Sequence, residues 1–417
     1  MDIVTIDFET YYDREYSLSK MTTEAYLRDK RFEVIGVAIK INDGKTCWYE
    51  NIDEAFNNMP TNYCVLAHNT IFDGSIFRWK YRKEPKFWLD TMSMARPKHS
   101  MTTGCSLSAL SKYYKLGTKG TEVLHSIGKR KADFTPQELK AYAKYCINDV
   151  ELTYKLWKKL SKDFPQSELM VIDQTLRMYI NPTIKLDKEL LVTHLNTIKL
   201  NKQQLLDTLS TKGLSNEQVK KALMSNLMFA KLLIHVGVTP PTKISARTGE
   251  ETYAFAKTDK EFVNLQHHSN PVVQQLVSAR LGVKSTIEET RTENLIDVAD
   301  RGKLPIMLNY YGAHTGRFSG GDKLNLQNLP RNGALRKSLM APKDKVLIAC
   351  DSSQIEARMV AYISKQEDLI QAFREGRDVY SEFASEIYDR KITKKDKLER
   401  FVGKTCILGL GYGMGAV

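Results

Sequence analysis

Asp7 and Glu9 stand inside the run Ile3-Val4-Thr5-Ile6-Asp7-Phe8-Glu9-Thr10, whose apolar residues at 3, 4, 6 and 8 mark a buried β-strand. Alternation along a strand puts both carboxylates on one face. Like charges so close repel, and each loses solvation among apolar neighbours. Hard divalent cations coordinated by oxygen relieve both problems, so a fold for this chain has to deliver metal ions to that face. Two further carboxylates have similar contexts: Asp73 in Asn69-Thr70-Ile71-Phe72-Asp73, and Asp149 in Tyr145-Cys146-Ile147-Asn148-Asp149. The four together read as one metal site.

The 417 residues suffice for two or three domains, and 42% hydrophobic with 27% charged residues is a globular composition, not a disordered one. No apolar run reaches membrane-spanning length, and the Met1-Asp2 start lacks a basic, apolar signal segment, so a cytoplasmic protein without a membrane partner is expected. The six cysteines form no C-x-x-C pair and read as reduced thiols. A net charge of +13 favours a polyanionic partner, with binding that weakens steeply in salt.

Three parts are expected: 1–163, 164–300 and 301–417. The first is α/β, with strands over 3–8, 34–41 and 63–67 and a helix over 136–161 opened by the capping box Thr135, Pro136 and Glu138. On that helix Tyr145 and Asp149 are i and i+4, one above the other. The second part is helical, with stripes at Leu191, Leu195, Ile198, Leu205, Leu209 and at Val273, Leu276, Val277, Leu281. Turns are expected at Val238-Thr239-Pro240-Pro241 and Arg247-Thr248-Gly249. In the third part, Val346-Leu347-Ile348-Ala349-Cys350 reads as a buried strand that delivers Asp351 at its end.

The amino-terminal motifs resemble those of the DEDD 3′→5′ exonucleases in their tyrosine-containing branch. Asp7 and Glu9 match the first motif, Asn69-x-x-Phe72-Asp73 the second and Tyr145-x-x-x-Asp149 the third. D-x-E alone is common and usually solvated; three motifs in order, on strand, loop and helix, outweigh that. The resemblance implies that Asp7, Glu9, Asp73 and Asp149 hold two magnesium or manganese ions. It further implies that Tyr145 orients the attacking water and that Asn69 contacts the DNA.

Asp351-Ser352-Ser353-Gln354-Ile355-Glu356-Ala357-Arg358 resembles motif A of family A (polymerase I-like) DNA polymerases, departing from the usual form at Ser352 and Ala357. By that resemblance Asp351 binds the catalytic metals and Ser352 lends them its backbone carbonyl. Glu356 would stand where a ribose 2′-hydroxyl would collide. Arg400-x-x-x-Lys404-x-x-x-Leu408-x-x-x-Tyr412-Gly413 resembles motif B. One helical turn apart, Arg400 and Lys404 can meet the same triphosphate. The likeness makes Lys404 a proton donor to the leaving pyrophosphate and sets Tyr412 against the templating pair. Leu408 replaces the usual aromatic, which implies altered sugar discrimination. Gly403-Lys404-Thr405 also matches the end of a P-loop, but the required first glycine falls at Leu398; the glycines at 409–415 have no G-x-G-x-x-G register.

Thr315-Gly316-Arg317-Phe318-Ser319, Asn325-Leu326-Gln327-Asn328-Leu329-Pro330 and Lys284-Ser285-Thr286 resemble the same family's primer and template segments. Thr315, Arg317, Gln327, Asn328 and Lys284 are the implied DNA contacts, and polar amides suit minor-groove acceptors that are nearly alike for every base pair.

The expected fold is α/β: a ribonuclease H-like exonuclease domain (1–163), a helical thumb with the start of the polymerase domain (164–300), and an incomplete palm and fingers (301–417). Two Mg2+ or Mn2+ ions per active site are implied as cofactors. The implied partners are single-stranded 3′ ends, primer-template DNA and deoxynucleoside triphosphates. Motif C of the family, a His-Asp-Glu hairpin, does not occur among these residues, and no 5′-nuclease region precedes the exonuclease. The chain therefore reads as the amino-terminal portion of a phage-type replicative polymerase whose synthesis needs the missing motif C part, the remainder being a separate polypeptide or a stretch lost to an interrupted or truncated gene. Residues 300–417 are expected to be loosely ordered, with an unpaired sheet edge. Two rival readings are a stand-alone exonuclease whose carboxyl region only holds DNA, and a non-catalytic docking subunit. Arg400, Lys404 and Glu356 argue against a mere platform, and the intact exonuclease acids argue against a purely structural role.

Overall fold

A strand buried along most of its length has to lie inside a sheet, and β1 (Asp2–Thr10) does. In the computed structural model, which describes residues 1–120, 126–210, 216–284 and 286–415 (side chains 205, 208–210 and 284 excepted), β1 is the middle of five strands. The others are β2 (Val34–Ile41), β3 (Cys47–Tyr49), β4 (Tyr63–Ala67) and β5 (Phe87–Asp90), in the order β3-β2-β1-β4-β5. β3, β2 and β1 form an antiparallel meander, and β4 and β5 continue parallel to β1. The register sets Asp7 opposite Ala38 and Glu9 opposite Gly36, so small residues flank the acids.

Helices cover the sheet: α1 (Thr23–Arg28), α2 (Ile52–Asn57), α3 (Thr70–Trp79), α4 (Thr91–His99), α5 (Leu107–Tyr113), α6 (Pro136–Leu160) and α7 (Gln166–Ile180). The capping box forms as expected: Thr135 Oγ1 accepts the Glu138 N–H while the Glu138 carboxylate accepts the Thr135 N–H. α6 packs along β1 and β2. α7 follows Pro165, yet Ile172, Leu176, Tyr179 and Ile180 belong to the same core as β1 and Trp88. Its Asp173 accepts the Trp88 N–H of β5 at 2.8 Å.

Beyond β6 (Lys185–Leu186) the chain is mainly helical: α8 (Lys188–Ser210), α9 (Asn216–Met224), α10 (Asn226–His235), α11 (Lys260–Asn264), α12 (Pro271–Lys284) and α13 (Ile287–Arg301). Leu191, Val273, Leu276 and Val277 are buried, whereas Leu195, Ile198 and Leu281 are half-buried; the side chains of Leu205 and Leu209 lie outside the described residues. The expected turns flank or join the hairpin of β7 (Thr242–Ile244) and β8 (Glu251–Tyr253). β9 (Leu308–Asn309) pairs with β10 (Ser319–Gly320), α14 (Ala334–Lys337) follows, and β11 (Leu339–Met340) returns to pair with β6.

The chain divides into two compact units, Met1–Val346 and Leu347–Val417. Within the second, α15 (Ile355–Ser364), α16 (Glu367–Arg374), α17 (Val379–Tyr388) and α18 (Lys397–Gly411) enclose a small core of Ala357, Ala361, Ala372, Phe373, Val379 and Tyr380. One expectation is overturned here. Val346–Cys350 is not a strand: it has no regular structure, with Val346 78% and Ile348 85% exposed. Apolar β-branched residues make a strand only where neighbouring strands take up their amides, and no described strand lies alongside.

Candidate active site

Three elements build the first site. Asp7 and Glu9 leave β1 towards α6, where the Cys146 thiol lies 3.4 Å from Asp7 Oδ2 and Tyr142 OH donates to Glu9 Oε2 at 2.6 Å. Asp73 occupies the first turn of α3, where exposed peptide N–H groups favour a carboxylate. Its Oδ1 accepts the Phe8 amide at 2.9 Å, tying α3 to the strand that carries the other two acids. Asp149 lies on α6 one turn beyond Tyr145. Glu9, Asp73 and Asp149 are buried, and Asp7 is half-buried.

The acids feel one another. Burial holds the Asp7 carboxyl well above the usual range, and the charges of Asp73, Glu9 and Asp149 push it further. Glu9 is pushed up to about 8, chiefly by burial, although the Tyr142 hydrogen bond opposes the rise. Burial likewise pushes Asp73 up to about 7 against the stabilising Phe8 N–H. The structure thus brings together all four acids that the sequence singled out.

Three neighbours went unread in the sequence. Tyr142 has a signal, because it lies three residues before Tyr145 on the same helix face, and the two rings stack at 6.3 Å. Cys146 was visible only as a motif spacer. Lys119 has no local signal: it reaches Asp149 from a loop thirty positions earlier, donating to Oδ2, with its ammonium 5.0 Å from the centre of the Tyr145 ring. Burial works against the charge on Lys119, but the Asp149 carboxylate outweighs it and keeps the ammonium protonated. Burial, and then Asp149, hold the Tyr145 phenol above its usual range.

A donor set of four crowded carboxylates, three of them buried, fits a hard divalent ion, because such ions take oxygen ligands and neutralise the repulsion. Beside Glu9 opens a cleft of about 220 Å³ lined by Phe8, Tyr12, Leu18, Tyr26, Phe72 and Tyr142. Asn69 is half-buried at the start of α3 in a left-handed conformation (φ 76°), its N–H bonded to Asp90 Oδ1 at 2.8 Å.

In the second unit, Asp351 and Ser352 are exposed in irregular chain, and no acidic cluster of ligand spacing forms around them among the described residues. Glu356 begins α15 after Gln354, which takes a left-handed conformation. On α18, Arg400 clamps Asp378 with two hydrogen bonds of 2.7 and 3.0 Å. Tyr380 lies within reach of the charges of Arg400, Asp378 and Glu356. Lys404 is exposed, Leu408 packs against the small core, and Tyr412 caps α18 largely in solvent.

Among the expected DNA contacts, Thr315 and Arg317 are exposed in the loop joining β9 to β10. Gln327 joins that loop by donating from Nε2 to the Phe318 carbonyl at 3.3 Å, and Asn328 O accepts from Arg291 at 3.3 Å. These two segments are therefore neighbours. The Lys284 side chain and Ser285 lie outside the described residues.

Comparison with known proteins gives two family matches: 3'-5' exonuclease over residues 1–165, and DNA polymerase family A over residues 189–417. The thermostable DNA polymerase I of Thermus aquaticus is 35% identical over 154 residues, covering 36% of this chain and 18% of that protein. DNA polymerase I of Lactococcus lactis is 30% identical over 185 residues, covering 43% of this chain and 21% of that protein. That of Pseudomonas aeruginosa is 33% identical over 138 residues, covering 32% and 15%. The chain thus spans about a fifth or less of these curated relatives. Among solved structures, the POL domain of Pol1 from M. smegmatis, in complex with DNA primer-template and dNTP, has a similar fold over 100% of this chain and 68% of its own, with a TM-score of 0.65 at 18% identity.

Proposed function

From the premise that this chain belongs to DNA polymerase family A and carries a 3'-5' exonuclease domain, we propose that it removes nucleotides from DNA 3′ ends with two divalent ions, magnesium or manganese. The reading rests on four acids, Asp7, Glu9, Asp73 and Asp149, gathered in one buried cluster. Ions bound there would supply an activated water and neutralise the attacking and leaving oxygens. The protein's own groups do the rest. Tyr142 and the Phe8 amide hold Glu9 and Asp73 in fixed orientations. Tyr145 orients the water, Asn69 contacts the strand, and the aromatic cleft beside Glu9 receives the terminal base.

In the second unit the same reading gives Asp351 and Ser352 to metal binding, and Arg400 and Lys404 to the triphosphate. Glu356, Leu408 and Tyr412 take the sugar and the templating pair, while Thr315, Arg317, Gln327, Asn328 and Lys284 take primer-template DNA. Synthesis would need a further carboxylate besides Asp351 to hold two ions. A phage-type replicative role, a cytoplasmic location and the three-part division at 163 and 300 belong to the same proposal.

The test is degradation of a 5′-labelled single strand in Mg2+. Asp7→Ala and Asp149→Ala should each lower the rate by at least about 10²-fold, the scale on which removing one electrostatic catalytic group acts. Undiminished Mg2+-dependent degradation by either variant would refute the assignment.

A further inference from the structure

The four-acid cluster already holds one cation, and that cation belongs to the chain. Lys119 donates to Asp149 Oδ2, and its charge also reaches Asp7 and Glu9. Fully ionised, the four carboxylates would carry four negative charges; the Lys119 ammonium offsets one of them at Asp149. The loop that presents it is built for this. Asn148, next to Asp149 on α6, donates from Nδ2 to the Thr118 carbonyl at 3.0 Å and fixes the backbone beside Lys119. Gly117, at φ +141°, makes the turn into this position, and Gly120 follows on the other side. The Lys119 side chain remains 28% exposed, while its Asp149 partner is buried.

An ammonium and a divalent ion drawn to the same Asp149 oxygen repel each other and compete for its lone pairs. We propose that Lys119 is a positioning residue of the exonuclease centre: it stands in for one divalent cation at Asp149 and has to be displaced before that site fills. The inference rests on reading the four acids as a metal cage. It adds a consequence: with two divalent ions bound, the four carboxylates are neutralised, and the freed Lys119 becomes the net positive charge facing an anionic phosphodiester. Lys119 thus acts on the reaction through Asp149 and sets how much metal the centre requires.

Two readouts on the full chain, neither of them enzymatic, test this. Free Mn2+ is followed by electron paramagnetic resonance during titration, and thermal unfolding is measured with EDTA and with saturating Mn2+. The variants are Lys119→Met, Lys119→Arg and a distant control, Lys129→Met, whose partner is Glu138 at the start of α6. Lys119→Met should bind Mn2+ about tenfold or more tightly at low salt, because a competing charge a few ångströms away has gone. It should melt below wild type in EDTA yet no lower than wild type in Mn2+. Lys119→Arg and Lys129→Met should behave as wild type in both measurements. Equal Mn2+ affinity in wild type and Lys119→Met, or a loss of stability that Mn2+ does not repair, would overturn the proposal. If wild type and Asp149→Asn take up no Mn2+ at all, the metal cage falls and this inference with it.

Discussion

Glu9 keeps a proton up to about pH 8 and Asp73 up to about pH 7, against ordinary values of 4.5 and 3.8. The folded, metal-free protein therefore binds protons that the unfolded chain releases. That contribution to stability is complete below about pH 4 and is lost as pH rises through 7 and 8, at about 1.4 kcal/mol per pKa unit for each group. Melting temperature in EDTA should fall from pH 5 to pH 8, Glu9→Gln should flatten the fall, and Mg2+ should restore stability most at pH 8. A flat profile in EDTA would show that these acids are not crowded. The four acids themselves were legible because motif spacing records strand and helix periodicity. Lys119 was not, since a loop residue paired across thirty positions leaves no periodic trace. Tyr142 lay in plain view on the helix face, but an aromatic at helical spacing usually reads as core; here it is core and also donates to Glu9.

Among the elements, β1, β2, β4 and α6 appeared where alternation and the capping box set them. The failure at Val346–Cys350 has the same physics reversed: a strand is defined by partners elsewhere in the chain, which composition cannot report. Gly403 shows how an element's packing can masquerade as a motif. Set before Lys404-Thr405 it resembles the end of a phosphate loop, but in the structure it lets α18 touch α17. A Cβ there would meet the Tyr380 carbonyl at 2.3 Å and Ala384 at 2.9 Å. Backbone cannot step aside as a side-chain tip can. Gly403→Ala should therefore push the helices apart, strain the Arg400–Asp378 clamp and destabilise the second unit by about 1–3 kcal/mol. Denaturant unfolding followed in that unit would check it; a gain from improved helix propensity would mean that the contact is loose.

At the scale of the whole chain, the unequal cores of the two units set what unfolds first. Sequence placed a boundary near 300, yet residues just beyond it are tied back into the first unit. Leu304, Leu329 and Leu335 share a core with Leu186, Leu191, Leu295 and Val298. Backbone bonds run from Leu304 to Ile184 at 2.9 Å and from Asp187 to Ser338 at 2.8 Å, and β11 pairs with β6. Among the described residues the second unit has one small core and leaves Tyr362, Ile363, Leu398 and Tyr412 largely in water. Less buried apolar surface means a lower free energy of local opening. In native-state hydrogen exchange, amides of the regular elements from 301 to 340 should match the protection of α8 and α13. Those of α15–α18 should exchange faster by orders of magnitude and open together. The step in protection should fall near 346 and not near 300. Protection as high in α15–α18 as in α13 would mean that the second unit draws stability from something beyond its own core.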